Sequence, residues 1–264
     1  MKSLATTALL AILVTLAGCR TAANRPDSYE SVVQRAYQEG QDAFDDGDYL
    51  GAIGKFNMIR NQFPYSQYAT LAELRIGDAY YAQEQYASAI EQYRGFIKLH
   101  PNHPKVVYAH FRIAQSFYGE MPEDWFHLPP TYEKDLTKTR DARREFAYFL
   151  KKYPKSKYSD QARRKLAMIR RRLADHEFYV ATFYLDRDNP RAAAMRLRYL
   201  LEHYSGLGLD PNALFLLARS YLELGDTKKA RAALDDLIQY HPDTSLARRA
   251  RSYLRDHPLG GPSG

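Results

Sequence analysis

The feature that most constrains this chain is a spacing. A small residue followed by a fixed set of larger apolar ones recurs along it. Ala52 and Ala89 stand 37 residues apart, and so do Ala193 and Ala230. Aligning on these positions gives five related units. The first holds Ala36, Gly40, Ala43, Ala52, Phe56 and Pro64, and the second Ile76, Gly77, Tyr80, Ala89, Tyr93 and Pro101. The third runs from Ile113, Ala114 and Phe117 to Ala142, Phe146, Phe149 and Pro154, with extra residues between its halves. Val180, Ala181, Tyr184, Ala193 and Leu197 make a fourth, with Ser205 where the others have proline. Leu217, Ala218, Tyr221, Ala230, Leu234 and Pro242 make the fifth. Small residues let two helices cross closely, large ones fill the gaps between them, and proline stops the second helix of each pair. No strand-like alternation interrupts the pattern, so the expected fold class is all-α.

The pattern resembles the tetratricopeptide repeat, whose units run about 34 residues. The expectation is a superhelix of about five helix pairs, with slightly long inter-repeat turns such as Phe63-Pro64-Tyr65-Ser66. The aromatic content, 22 Tyr and 12 Phe against a single Trp, suits the gap-filling positions of such a stack. Gly47-Asp48 and Gly225-Asp226 predict a glycine that ends one helix and an aspartate that caps the next. Two departures from regularity stand out. An insertion near residues 120–137 contains Pro122, Trp125, Phe126, Pro129, Pro130 and Tyr132, a composition expected of a packed loop. Residues 156–185 hold neither Gly nor Pro and place Ala162, Leu166, Ile169 and Leu173 on one face, which predicts a long helix. That helix would connect a three-unit module, residues 29–155, to a two-unit module within residues 156–256. Residues 257–264 are expected to be a disordered tail.

The N-terminus sets the compartment. Met1-Lys2-Ser3 precedes a largely apolar run from Leu4 to Ala17, 14 residues long. A bilayer span needs about 20 residues, so the run fits the core of a secretory signal peptide, residues 1–18. It leads into Leu16-Ala17-Gly18-Cys19, a match to the bacterial lipobox, and Cys19 is the only cysteine in the chain. The expectation is a thiol carrying diacylglycerol and a new amino terminus carrying a third acyl chain, followed by a short polar tether over residues 19–28. Several acyl chains give stable membrane attachment where one would be marginal. Arg20, in place of the aspartate that commonly retains lipoproteins at the inner membrane, favours the periplasmic face of the outer membrane. Export removes nucleic acid from the natural partners of a chain whose formal charge is +7.

Catalytic chemistry is hard to find. There is no GxxxxGK[ST], HExxH or GxSxG. His100, His103 and His241 sit beside prolines in inter-repeat turns, and the acidic run at Asp45-Asp46-Gly47-Asp48 reads as a helix end. The chain is therefore expected to be a binder without catalytic residues, metal site or cofactor other than its acyl chains. In a repeat of this kind the first helix of each pair lines the concave face. That places Tyr37, Phe44, Leu74, Tyr81, Phe111 and Tyr118 towards a groove suited to an extended or hairpin peptide with aromatic side chains. A second surface is electrostatic: residues 133–172 hold fifteen Lys or Arg against five acidic residues. An acidic partner domain or anionic lipid headgroups would both suit it.

Lipobox, five units, interrupted third unit and long helix together resemble the BamD family, the lipoproteins of the outer-membrane β-barrel assembly machine. The resemblance covers residues 29–253. It is carried most specifically by Phe63-Pro64-Tyr65-Ser66-Gln67-Tyr68-Ala69, Phe96-Ile97-Lys98-Leu99-His100-Pro101-Asn102-His103-Pro104, Tyr153-Pro154-Lys155-Ser156-Lys157-Tyr158 and Leu173-Ala174-Asp175-His176-Glu177. It implies C-terminal repeats that dock on a POTRA domain of the barrel subunit BamA, and N-terminal repeats that receive segments of unfolded outer-membrane proteins. Other assembly-machine lipoproteins are implied partners as well. The family's BamA-contacting arginine falls on Arg196, where Arg191 and Arg198 add charge that the family pattern lacks. The family's Asp-Arg-Asp stretch is only partly matched by Arg140 and Asp141. The alternative among repeat lipoproteins is a secretin pilotin or an envelope or cell-division coordinator.

Overall fold

The computed structural model describes residues 28–122 and 135–258. Among these residues there are eleven helices and no strand: α1 Tyr29–Asp45, α2 Tyr49–Gln62, α3 Gln67–Ala82, α4 Tyr86–Leu99, α5 Val106–Gly119, α6 Thr137–Lys152, α7 Ser159–Leu185, α8 Pro190–Tyr204, α9 Asp210–Glu223, α10 Thr227–Tyr240 and α11 Ser245–Asp256. Each helix packs on the next in chain order, and α1 also reaches α3 while α9 reaches α11. The result is five helix pairs in an open stack closed by one extra helix. Cys19, Trp125, Phe126, Pro129, Pro130, Tyr132 and residues 259–264 lie outside the described residues.

The boundaries follow from local chemistry. Ser28, Asp48, Ser66, Asn189, Asp226 and Thr244 each accept a backbone N–H in the first turn of the helix they precede, which satisfies donors that have no intrahelical partner. Gly47 and Gly225 sit at φ +83° and +74°, a region that costs a glycine nothing, so the glycine–aspartate turns form as expected. Helices α2, α4, α6 and α10 all end two residues before a proline, whereas α8 ends at Tyr204 with Ser205 as its C-cap.

The repeat register holds in every pair. Ala52, Ala89, Ala142, Ala193 and Ala230 are all fully buried. Four residues on come Phe56, Tyr93, Phe146, Leu197 and Leu234, and three further Ile59, Phe96, Phe149, Leu200 and Leu237, all buried. The facing glycines show why the crossing needs small residues. A Cβ on Gly40 would stand 2.7 Å from the Phe56 ring, and one on Gly77 2.8 Å from the Tyr93 ring.

The long helix is α7, 27 residues starting at Ser159 rather than at 156. Residues 156–158 are held in the turn, where Ser159 Oγ donates to the Tyr153 carbonyl. Of three core clusters, its first half lays Ala162, Ile169 and Leu173 into the central one, and its second half places Ala181 in the C-terminal one. It is thus both connector and first helix of pair four. These two clusters are continuous at this point, because Leu209 packs against both and Tyr204 of α8 lies in the central one. Helix α11 stands outside the five units; it buries Ala247 and Ala250 on α9 and α10.

Candidate functional site

The first helices α1, α3 and α5 and the start of α7 share one face of the stack. The two equivalent positions expected to line it behave differently. Tyr37, Leu74 and Phe111 occupy one. Phe111 is a core residue, stacked on Tyr158 at 4.8 Å between ring centres and touching Phe146 and Phe149. Leu74 is also buried in that core. Phe111 thus faces the core rather than an open groove, while Leu74, though buried, still forms part of a cavity wall on this face. Tyr37 at the uncovered end remains half-buried, against Phe56 and Tyr68.

Phe44, Tyr81 and Tyr118 occupy the second position, half-buried, each with a cation over its ring. Arg75 of α3 covers Phe44 at 4.2 Å, Arg112 of α5 covers Tyr81 at 3.7 Å, and Lys165 of α7 covers Tyr118 at 3.8 Å. Each contact joins one first helix to the next, and each is worth about 0.5–2 kcal/mol according to how far it is desolvated. The face is therefore a ladder of alternating rings and cations.

Below it lies a buried carboxylate. Asp78 of α3 is 3% exposed, and its Oδ1 accepts from the Tyr93 hydroxyl at 2.6 Å and the Tyr108 hydroxyl at 2.7 Å. Arg75 Nη1 donates to its Oδ2 at 3.0 Å, and Arg112 Nε lies 3.5 Å from Oδ1. Arg75 also donates to the Gln41 amide oxygen. Burial, reinforced by the Asp78 charge, raises both the Tyr93 and Tyr108 hydroxyl pKa, so both remain donors. This network ties α1, α3, α4 and α5 together and fixes both arginines. Sequence inspection missed it, although a charged residue inside the buried run Ile76-Gly77-Asp78-Ala79 was a visible signal.

Two shallow cavities open on this face. One, of about 400 Å³, is lined by Tyr37, Gln41, Leu71, Leu74, Arg75, Asp78, Lys105, Tyr108 and Tyr158. The other, of about 370 Å³, lies between Tyr81, Tyr86, Tyr118 and Gly119 on one side and Met121, Pro122, Lys165 and Arg172 on the other. Both pair aromatic walls with cations, a chemistry suited to apolar or aromatic side chains next to a carboxylate. Among the described residues no cluster of three or more His, Cys, Asp or Glu could hold a metal ion, and no helix is long and apolar enough to cross a membrane.

In the C-terminal pairs the three arginines do not form one patch. Arg191 and Arg198 line a cavity of about 300 Å³ with Met195 of α8, Tyr221 of α9, Leu224 just after it, and Asp226 and Lys229. Arg196 instead donates to Glu177 Oε2 of α7 at 3.1 Å. Glu177 is 4% exposed and Arg196 about half-exposed, so Arg196 serves the α7–α8 seam as a counter-ion. An apolar cavity of about 360 Å³, walled by Phe215, Leu222, Leu234 and Tyr253, lies between α9, α10 and α11.

A family profile, YfiO, described as an outer membrane lipoprotein, matches residues 30–237. The outer membrane protein assembly factor BamD of Caulobacter vibrioides is 28% identical over 228 residues, covering 86% of this chain and 72% of the relative. That of Rickettsia prowazekii is 28% identical over 252 residues, covering 95% and 96%. Among solved structures, the TPR2AB domain of yeast Sti1 matches with a TM-score of 0.44 at 11% identity, covering 86% of each chain.

Proposed function

The chain belongs to the YfiO family of outer membrane lipoproteins, and from that membership we propose that it is a lipid-anchored, non-catalytic scaffold that carries unfolded outer-membrane proteins to the BamA subunit. Kinship with assembly factors supports the role in outer-membrane protein assembly. The finer reading rests chiefly on one observation, the ring-and-cation ladder of Phe44, Tyr81 and Tyr118 with Arg75, Arg112 and Lys165. Its half-buried rings offer apolar contact to an aromatic side chain, and its cations offer positive charge to a carboxylate. The buried Asp78 network holds Arg75 and Arg112 in place before a client arrives.

The POTRA contact is proposed at the other end of the stack. Met195 is an exposed apolar knob between Arg191 and Arg198, and such a knob ringed by cations fits a partially acidic domain face. Arg196 supports that surface from behind through Glu177. Cys19, carrying diacylglycerol and an N-acyl chain, attaches the whole to the periplasmic face of the outer membrane.

Three measurements on protein extracted from native membranes test the proposal. Mass spectrometry should find a triacylated Cys19 at the mature N-terminus. A photo-crosslinker at Tyr81 or Tyr118 should capture C-terminal barrel segments, while one at exposed Leu50, on the second helix α2, should not. A double Arg191→Glu, Arg198→Glu variant should lose the isolated POTRA array in a pull-down. An unmodified thiol refutes the anchor, equal crosslinking at Leu50 refutes the groove, and undiminished capture by the double variant refutes the POTRA surface.

A further inference from the structure

The stack has two long edges, and they differ in charge. Since successive helices run in opposite directions, the described inter-repeat turns lie on one edge and the described turns within a pair on the other. Contacts confirm the first edge: Tyr29 meets Phe63, Gln67 donates to Glu30, and Tyr108 meets Tyr158. In the first two pairs the within-pair edge carries exposed Asp45, Asp46, Asp48 and Glu84. The inter-repeat edge carries exposed Lys98 and Lys105, then Lys151, Lys152, Lys155 and Lys157 around the α6–α7 turn. Its acidic side chains are already engaged, Glu30 by Gln67, Asp160 by Arg163 and Glu73 by His100.

The same edge shows apolar side chains to solvent. Tyr65, in the α2–α3 turn, is 98% exposed, and Leu99, at the end of α4, is 66% exposed. Nothing in the repeat packing uses either. Tyrosine and aliphatic side chains standing among lysines match the interfacial zone of a bilayer, where rings sit at headgroup depth and cations meet lipid phosphates. A folded acidic partner would explain the lysines but not the full exposure of Tyr65. The described chain also begins on this edge, at Ser28, so the segment leading back to Cys19 departs from it.

We propose that the inter-repeat edge of the N-terminal pairs is a membrane-docking surface, on which Lys105, Lys151, Lys155 and Lys157 meet anionic phospholipid headgroups and Tyr65 and Leu99 enter the interfacial layer. It rests on the membrane attachment proposed above and deepens it. Docking turns a flexible tether into a fixed orientation, with the acidic edge pointing away from the bilayer and the ring-and-cation face held upright beside it.

The test uses the full acylated protein mixed with vesicles of phosphatidylethanolamine and phosphatidylglycerol, or of phosphatidylethanolamine and phosphatidylcholine. Flotation reports attachment, and amine labelling read by mass spectrometry reports lysine access. Labelling of Lys151, Lys155 and Lys157 should fall at least about threefold on the anionic vesicles relative to Lys228 on the far edge, and recover in high salt. A Tyr65→Ser, Leu99→Ser variant, altered only at exposed positions, should lose part of that protection while keeping its helicity. Equal labelling on both vesicles overturns the docking edge while leaving the anchor intact. Flotation with anionic vesicles alone supports the edge and overturns the anchor, and flotation with neither overturns both. Protection seen only in native membranes, and not on anionic vesicles, assigns the lysines to an acidic protein and overturns the lipid assignment.

Discussion

Replacing Asp78 by asparagine isolates what the buried carboxylate does for the first three pairs. The side-chain volume is conserved, and an amide oxygen in place of Oδ1 still accepts from Tyr93 and Tyr108. The change falls on Oδ2, where an amide N–H₂ would face Arg75 Nη1 across 3.0 Å, donor against donor. Arg75 and Arg112 both lose their counter-ion. Breaking a buried ion pair from one side costs about 3–5 kcal/mol. The arginine side chains are 23% and 16% exposed, so water relieves part of this and the lower end applies, about 3 kcal/mol. Tyr108→Phe, which removes one hydroxyl and leaves the ions paired, should cost about half as much. Urea unfolding followed by far-ultraviolet circular dichroism measures both, and hydrogen exchange should place the loss in α3, α4 and α5. Adding Arg112→Met to Asp78→Asn should cost less than the sum of the single changes. An Asp78→Asn protein within about 0.5 kcal/mol of the parent would refute the claim that this carboxylate organises the face.

Two further outcomes follow from the site. Phe111→Ala should destabilise by about 3–5 kcal/mol in urea, whereas Tyr81→Ser should keep parental helicity and lose client crosslinking; the reverse order would mean the core and groove roles are exchanged. Burial and Lys152 hold the His110 pKa down to about 4. Below the ordinary histidine value of about 6.5 the unfolded chain therefore takes up a proton that the folded one refuses, so stability falls from pH 6.5 towards 4 and His110→Gln should flatten that slope.

The repeat register could be read directly because it depends on side-chain volume at fixed spacing. Ala52, Ala89, Ala142, Ala193 and Ala230 are fully buried, and at the facing Gly40 and Gly77 even a Cβ would crowd a ring. The caps at Asp48 and Asp226 were equally legible, being local hydrogen-bond chemistry. Helix α11 was not, since a repeat search looks for pairs and this helix has no second member. The groove residues were legible only by position. Spacing makes Tyr37, Leu74 and Phe111 equivalent, but burial depends on the neighbours each one meets across helices, and of the three Tyr37 alone stays half-buried. Arg196 has the sequence surroundings of an interface arginine, yet its orientation was decided by Glu177, 19 residues away on another helix. Pairings across helices are tertiary facts that no single-chain periodicity contains.

Helix α7 has a mechanical consequence. Most repeat arrays are chains of similar units in which each interface is a possible hinge. Here a single 27-residue rod, about 40 Å long at 1.5 Å per residue, runs through the central and C-terminal cores. A bend at the seam would have to break helical hydrogen bonds in its middle or pull Tyr204 and Leu209 out of the packing around it. The two ends of the molecule are thereby kept at a set distance, and whatever is held at one end is presented to the other by a ruler rather than by a tether.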